Sequence, residues 1–236
     1  MNLWPCVLFR TEDAETARQE LARHERAGQP EAPAPPLPTT CVQLHQTVML
    51  LVDSDQAPDP LAVLQLIERL HARLDVLPLR FGERVSNHDA ALKCLECQLA
   101  DLRGAMDRVR GCTELSVRLL AEAKPAAPLA AHSAPSGREY LKRRAVELDL
   151  VDGVDSRVLA EVKQWAQVRA PQGTEVAVEA PSRLAPYLRA MFLVPRASAT
   201  LLSATLQTHP SDLWRGATVV GPRAPFTFAS LKAPGA

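Results

Sequence analysis

VLPLRFGERV, Val76 to Val85, decides how this chain is read. Leu77, Leu79 and Phe81 alternate with Pro78, Arg80 and Gly82, and a repeat of two residues places successive side chains on opposite faces of a strand. Arg80 then has a defined face, opposite the leucines. A guanidinium packed against a neighbouring layer without a partner is costly, so Arg80 is expected either to reach solvent or to meet a carboxylate.

Upstream of this stretch, PLAVLQLIERLHARL carries Leu61, Leu64, Ile67, Leu70 and Leu74 at helical spacing, with Asp59 before it and Pro60 in its first turn. CVQLHQTVMLLVDS, rich in Val, Leu and Thr, has the length of two short strands or one long bent one. PCVLFR is a short strand, and EDAETARQELARHERAG a polar helix with Ala14, Ala17, Leu21 and Ala22 as its apolar stripe and Gly28 as its stop. The resulting order of strand, helix, strand, strand, helix, strand is that of a split β-α-β unit. It predicts a ferredoxin-like sandwich, with helices on one face of an antiparallel sheet. Between the first helix and the second strand, Pro30 to Pro38 holds five prolines and reads as an extended, partly polyproline connection, whose PxxP spacings could suit a proline-recognition domain.

Downstream, NHDAALKCLECQLADLRGAMDRVR predicts one helix, with Asn87 as N-cap and Leu92, Leu95, Leu99, Leu102 and Met106 along one side. In CTELSVRLLAE, Leu115, Val117 and Leu119 alternate with Glu114, Ser116 and Arg118 as a strand. An Ala/Pro/Ser stretch ending at Gly137 reads as exposed loop. Beyond it, Leu141, Ala145, Leu148, Val151, Val154, Val158, Val162 and Trp165 follow a near-heptad seam, with a kink expected at Gly153 or a second helix capped by Asp155. TEVAVEA and YLRAMFLVPR are strands, ATLLSATLQTHPSDL a short helix and ATVVGPRAPFTFASL a final extended segment. The chain is thus expected to be α+β with two domains. These are a ferredoxin-like domain over residues 1–111 and an α+β domain with a long helical segment over residues 112–236.

Composition narrows the function classes. Lys plus Arg equals Asp plus Glu, 27 each, so no global basic field attracts nucleic acid or anionic lipid. The longest apolar run, Val48 to Val52, is too short to span a bilayer, and the N-terminus lacks the basic region and cleavage site of a signal peptide, so a cytoplasmic protein is expected. Five scattered cysteines, Cys6, Cys41, Cys94, Cys97 and Cys112, fit free thiols in a reducing compartment. Cys94 and Cys97 form a CxxC in mid-helix, away from the helix N-terminus that would lower a thiol pKa, and no second CxxC supplies further metal ligands. The six histidines stand singly and read as surface or loop imidazoles. No phosphate-cradling glycine loop is present, and Lys142, Arg143 and Arg144 are diluted by Glu139 and Glu147. Trp4, Trp165 and Trp214 read as core fillers. The residues themselves therefore point away from an enzyme, and neither a cofactor nor a metal is expected.

VLPLRFGERV resembles the P-L-R-F-G signature of the gas-vesicle protein F/L family, and VVGPRAPFTFASL is similar to that family's terminal G-P-x-x-P-[YF]-[ST]-F pattern. TELSVRLL resembles the family's glutamate-led strand and SGREYLKRRAVE its G-x-x-Y-L-x-x-R helix start, in register over residues 60–236. The chain departs from the pattern at Arg223 and Ala224, where tryptophan and proline are common, and at Phe226, where tyrosine is commoner. The resemblance implies a two-domain α+β protein without catalysis. Its implied role is accessory, in building gas vesicles through contact with the small hydrophobic major shell protein and with other vesicle accessory proteins.

Within that frame, Arg80 and Glu114 are expected to pair across the joint between the halves, because an arginine fork on a carboxylate is bidentate and directional. Gly82 is expected to allow a turn where a side chain would collide. In the terminal motif Gly221, Pro222, Pro225, Phe226 and Phe228, the two prolines stiffen the chain and present the phenylalanines on one face. The phenylalanines are expected to seal the core of the second domain or else to anchor a partner. A general interaction scaffold and a small-molecule-binding α+β protein are the alternatives from other classes.

Overall fold

A computed structural model of the chain describes residues 2–26, 37–80, 82–121, 156–181, 187–207 and 214–229. Leu3–Arg10 (β1), Thr39–Leu44 (β2), Thr47–Asp53 (β3) and Leu77–Pro78 (β4) form one sheet in the order β2-β3-β1-β4, antiparallel at every pairing. Leu44 pairs with Thr47, so β2 and β3 are two strands joined by the two-residue loop His45-Gln46. His45 takes φ 53°, the left-handed backbone that such short hairpin loops demand.

Ala14–Arg26 (α1) and Pro60–His71 (α2) cover one face of this sheet. The side chain of Asp59 accepts from the Leu61 N–H at 3.2 Å, and Pro60 opens α2 as its residue type allows. Trp4, Cys6 and Phe9 of β1 and Val48, Leu50 and Val52 of β3 pack there against Ala17, Leu66, Ile67 and Leu70. The buried stripe of α2 is rotated from the expected one. Ala62, Val63 and Leu66 face inward, whereas Leu61 and Leu64 are 58 % and 40 % exposed. Two overlapping sets of apolar residues fit the helical period here, and contact with the sheet selects one of them.

The expectation of helices on one face alone is not met. Met49 and Leu51 point to the opposite face from Leu50, yet they are buried as well. His88–Cys97 (α3) lies against β2 and Leu99–Val109 (α4) against β4, with Ala91, Leu95, Leu102, Ala105, Met106 and Val109 buried. A strand covered on both faces has no polar side, which is why TVMLLVD is a continuous apolar run rather than an alternating one. The single helix expected from Asn87 onward is two helices. Asn87 caps the first through its side chain, 2.8 Å from the Ala90 N–H, and the ladder breaks at Gln98, with φ −115° and ψ 8°.

VLPLRFGERV is mostly not a strand. Val76, Leu77 and Pro78 are all buried, and Leu79 still donates to the Cys6 carbonyl at 2.9 Å. The chain then leaves the sheet and returns at Val85, which exchanges two backbone hydrogen bonds with Leu3. Pro78 has no N–H for a ladder, and Gly82 adopts φ 104°. A Cβ on Gly82 would meet nothing within 4 Å, so the glycine serves its dihedral angle rather than relieving the expected collision.

Cys112–Ala121 (β5), Glu175–Glu179 (β6), Leu188–Pro195 (β7) and Trp214–Arg223 (β8) form a second four-stranded sheet in the order β6-β7-β5-β8. Its strand order repeats that of the first sheet. Ser156–Arg169 (α5) and Ala199–Gln207 (α6) complete its core, where Trp165 meets Phe192 edge-on at 6.3 Å beside Leu115, Val117, Val162 and Leu202. The expected seam from Leu141 to Val154, the kink at Gly153, Asp155, Lys142–Arg144 and nearly all of the proline tract lie outside the described residues. Among the described residues, no helix is long and apolar enough to cross a membrane.

The compact units are Met1–Glu114 with Arg223–Ala236, and Leu115–Pro222. Instead of a single cut between residues 111 and 112, the chain leaves its N-terminal unit at Glu114 and rejoins it at Arg223.

Two glycines give opposite expectations in urea denaturation. Gly82→Ala forces a Cβ into a left-handed backbone and is expected to destabilise by about 1–3 kcal/mol. Gly104 lies inside α4 with open space around its missing Cβ, so Gly104→Ala is expected to stabilise by about 0.5–1 kcal/mol.

Candidate functional site

Glu114, in β5, is 0 % exposed. An ionised carboxylate at such a position is tolerable only if its lone pairs are filled. Four hydrogen bonds fill them, all from the terminal motif. Arg223 donates from Nε at 3.1 Å and from Nη2 at 2.5 Å to Oε1, and the Thr227 hydroxyl donates to the same oxygen at 3.1 Å. The Thr227 N–H donates to Oε2 at 2.8 Å. Two groups of a flexible guanidinium and two of one turn residue thus converge on a single side chain.

Neighbouring residues extend the arrangement. The Thr113 hydroxyl donates to the Arg223 carbonyl at 2.8 Å. Its one proton is spent there, so its 3.2 Å contact with His71 Nε2 requires the imidazole to donate from that nitrogen. Glu68 of α2 accepts from the Ala224 N–H at 3.0 Å. Burial holds the Glu68 carboxyl above its ordinary range, helped by the nearby charge of Glu114, while the Ala224 N–H and Arg223 act the other way. Arg108 of α4 donates to the Phe228 carbonyl at 3.2 Å, and its guanidinium stands 5.6 Å from the centre of the Phe228 ring.

Apolar contacts complete the attachment. Ala224, Pro225 and Phe228 are buried, and Phe226 is half-buried against the core beneath α1 and α2. Gly221 and Pro222 are exposed. Residues 226–228 form a turn, so the two phenylalanines do not share a face as an extended segment would arrange them. They pack in the N-terminal unit, not in the core of the second.

The expected pair of Arg80 and Glu114 is absent. Arg80 is exposed on the loop after β4, and the hydrogen bonds to Glu114 come from Arg223 and Thr227. Sequence reasoning found the glutamate and the terminal motif but matched the carboxylate to the wrong arginine. It also missed Glu68, Arg108, Thr113 and His71, the last of which is buried rather than superficial. No local spacing links Glu114 to an arginine 109 residues away.

Elsewhere the described residues offer little chemistry. All five cysteines are free, burial pushes the Cys6 thiol up to about 12, and burial also raises Cys94. No group of three or more His, Cys, Asp or Glu is placed to hold a metal among the described residues. A concavity of about 110 Å³ beside the Arg10–Asp107 ion pair, also lined by Gln46, Thr47, Arg103 and Met106, is far below the roughly 300 Å³ at which small-molecule sites begin.

Arg223→Met leaves the buried Glu114 carboxylate uncompensated and is expected to cost about 3–5 kcal/mol in urea denaturation, against less than about 0.5 kcal/mol for the exposed Arg80→Met. Glu68 gives a pH signature. Its carboxyl binds a proton more readily in the folded chain than in the unfolded one. Its contribution is therefore fully present below the ordinary glutamate pKa of 4.5 and is lost as pH rises through the higher folded value. Glu68→Gln retains an acceptor for Ala224 and is expected to flatten that decline in melting temperature as pH rises above 4.5.

The motif that closes over Glu114 lies within the reach of a family comparison. The family model described as gas vesicle synthesis protein GvpL/GvpF matches residues 9–230. Among solved structures, the crystal structure of the gas vesicle protein GvpF from Anabaena sp. PCC7120 superposes with a TM-score of 0.63 at 19 % identity, over 98 % of this chain and 97 % of that one. GvpF from Microcystis aeruginosa gives a TM-score of 0.61 at 15 % identity, over 98 % and 99 %. At these identities the likeness is one of fold. No match is found among curated proteins. A match across nearly the whole length, including both the β4 region and the closing motif, means that this chain belongs to the GvpL/GvpF gas vesicle synthesis protein family.

Proposed function

We propose that the chain is a cytoplasmic accessory protein of gas-vesicle assembly, which binds the small hydrophobic major shell protein during nucleation or growth of the vesicle and transforms no substrate. The family match over residues 9–230 carries this reading. A shell subunit that associates through apolar surface and strand edges needs a folded, soluble protein to hold or place it as the shell grows. The ionisable residues of the site favour a binding role. Among the described residues, Glu68, Glu114 and Arg223 are spent on one another and on backbone groups, which fastens the terminal motif to its unit.

The N-terminal unit is read as ferredoxin-like, a reading supported by its strand order β2-β3-β1-β4, with α3 and α4 as additions on the second face. Within the terminal motif, Pro225 and Phe228 hold the segment down. Gly221, Pro222 and the outward part of Phe226 are the portion open to a partner.

Co-expression with the vesicle shell protein followed by affinity capture tests the proposal, together with deletion of the gene in a vesicle-forming host. Capture of the shell protein and loss of flotation are expected. Failure of capture with normal flotation, in a host without a paralogue, would leave only a general scaffold. Removing the whole motif would also remove Arg223 and leave Glu114 without its guanidinium, so the sharper variant is Phe226→Ser. It is expected to weaken capture by more than about tenfold while the melting transition remains cooperative.

A further inference from the structure

We propose that Ala224–Ala229 is a strap that opens as a unit, rooted at Arg223, while the sheet beneath it stays folded. This goes beyond the proposed function and does not depend on it. The observation behind it is the kind of contact that holds the segment. Among the described residues, its backbone-to-backbone hydrogen bonds are internal, from the Phe226 N–H to the Ala224 carbonyl at 2.8 Å and from the Ala229 N–H to the Pro225 carbonyl at 2.9 Å. Among the described residues, each hydrogen bond that ties it to the rest of its unit runs through a side chain. Ala224 donates to Glu68, Thr227 donates twice to Glu114, and the Phe228 carbonyl accepts from Arg108.

A segment held in this way can leave without breaking a strand ladder. Opening admits water to Glu114, Glu68 and Arg108, so their protein hydrogen bonds are exchanged for hydrated ones, a modest cost for each. What is lost outright is the burial of Ala224, Pro225, Phe228 and Ala229, whereas β1 and β3 keep α1 and α2 on one face and α3 and α4 on the other. The strap is thus separable from the unit it closes, and its attachment is governed by charge. Two carboxylates, Glu68 and Glu114, and two guanidiniums, Arg108 and Arg223, hold it, with His71 and Thr113 behind. Opening uncovers the seats of Ala224 and Phe228 and places apolar surface in solvent.

Hydrogen exchange on the full chain, read residue by residue, tests this. The Ala224 and Thr227 amides, whose acceptors are carboxylates, are expected to exchange at least about tenfold faster than the β1 and β3 amides of the same molecules. Salt at about 1 M should speed the strap amides and leave the strand amides unchanged. Arg223→Lys keeps the charge but loses the fork, and is expected to accelerate the strap amides by about a further tenfold with the β3 amides unmoved. Equal protection of strap and strand amides in the unaltered chain would overturn the proposal. Acceleration of both sets together in Arg223→Lys would do the same. If that variant does not fold, the comparison within the unaltered chain still decides.

Discussion

A carboxylate buried in a strand is costly unless donors fill its lone pairs, and among the described residues Glu114 takes four from Arg223 and Thr227 near the end of the chain. That one requirement organises the N-terminal unit. The polypeptide departs from the unit at Glu114 and comes back at Arg223, and those two residues are each other's ion-pair partners. Exit and return are pinned by the same contact. The entropy of closing so long an intervening stretch grows only slowly with its length, so a short, well-made polar cluster is enough to hold the ends together.

Around this cluster, the first sheet is an interior layer rather than a half-exposed one. With α1 and α2 on one side and α3 and α4 on the other, β3 has no need of a polar face, and Met49 and Leu51 are buried alongside Leu50. The second sheet reaches the same strand order with unrelated residues. Its core is built on Trp165 and Phe192, where the first is built on Phe9, Leu50, Leu66 and Leu70. Packing and connection rules admit few ways to join such elements, so the recurrence of one order needs no recurrence of sequence.

The site fastens the terminal motif to α2 and β5. Its acids and bases face one another and the backbone of the terminal motif, and family membership assigns the chain to gas vesicle synthesis. Arg223 and Ala224 are both used here. The arginine neutralises Glu114, and the alanine is small enough to be fully buried beside Glu68.

Local chemistry was legible in the residues alone. The cap at Asp59 with Pro60, the cap at Asn87, the strand character of β1 and β5 and the α+β class all rest on interactions that span four residues or fewer, and the structure keeps them. Choices among equivalent local solutions were not legible. The period of α2 permits two buried stripes, and the sheet selected the one that leaves Leu61 and Leu64 outside. The helix after Asn87 breaks at Gln98, where no proline or glycine announces a stop. Glu114 stands 109 residues from its arginine, and only the tertiary structure could decide that the partner is Arg223 and not Arg80. Sequence spacing carries the geometry of one turn or one strand, whereas the pairing of distant charges depends on where the whole topology brings the chain back.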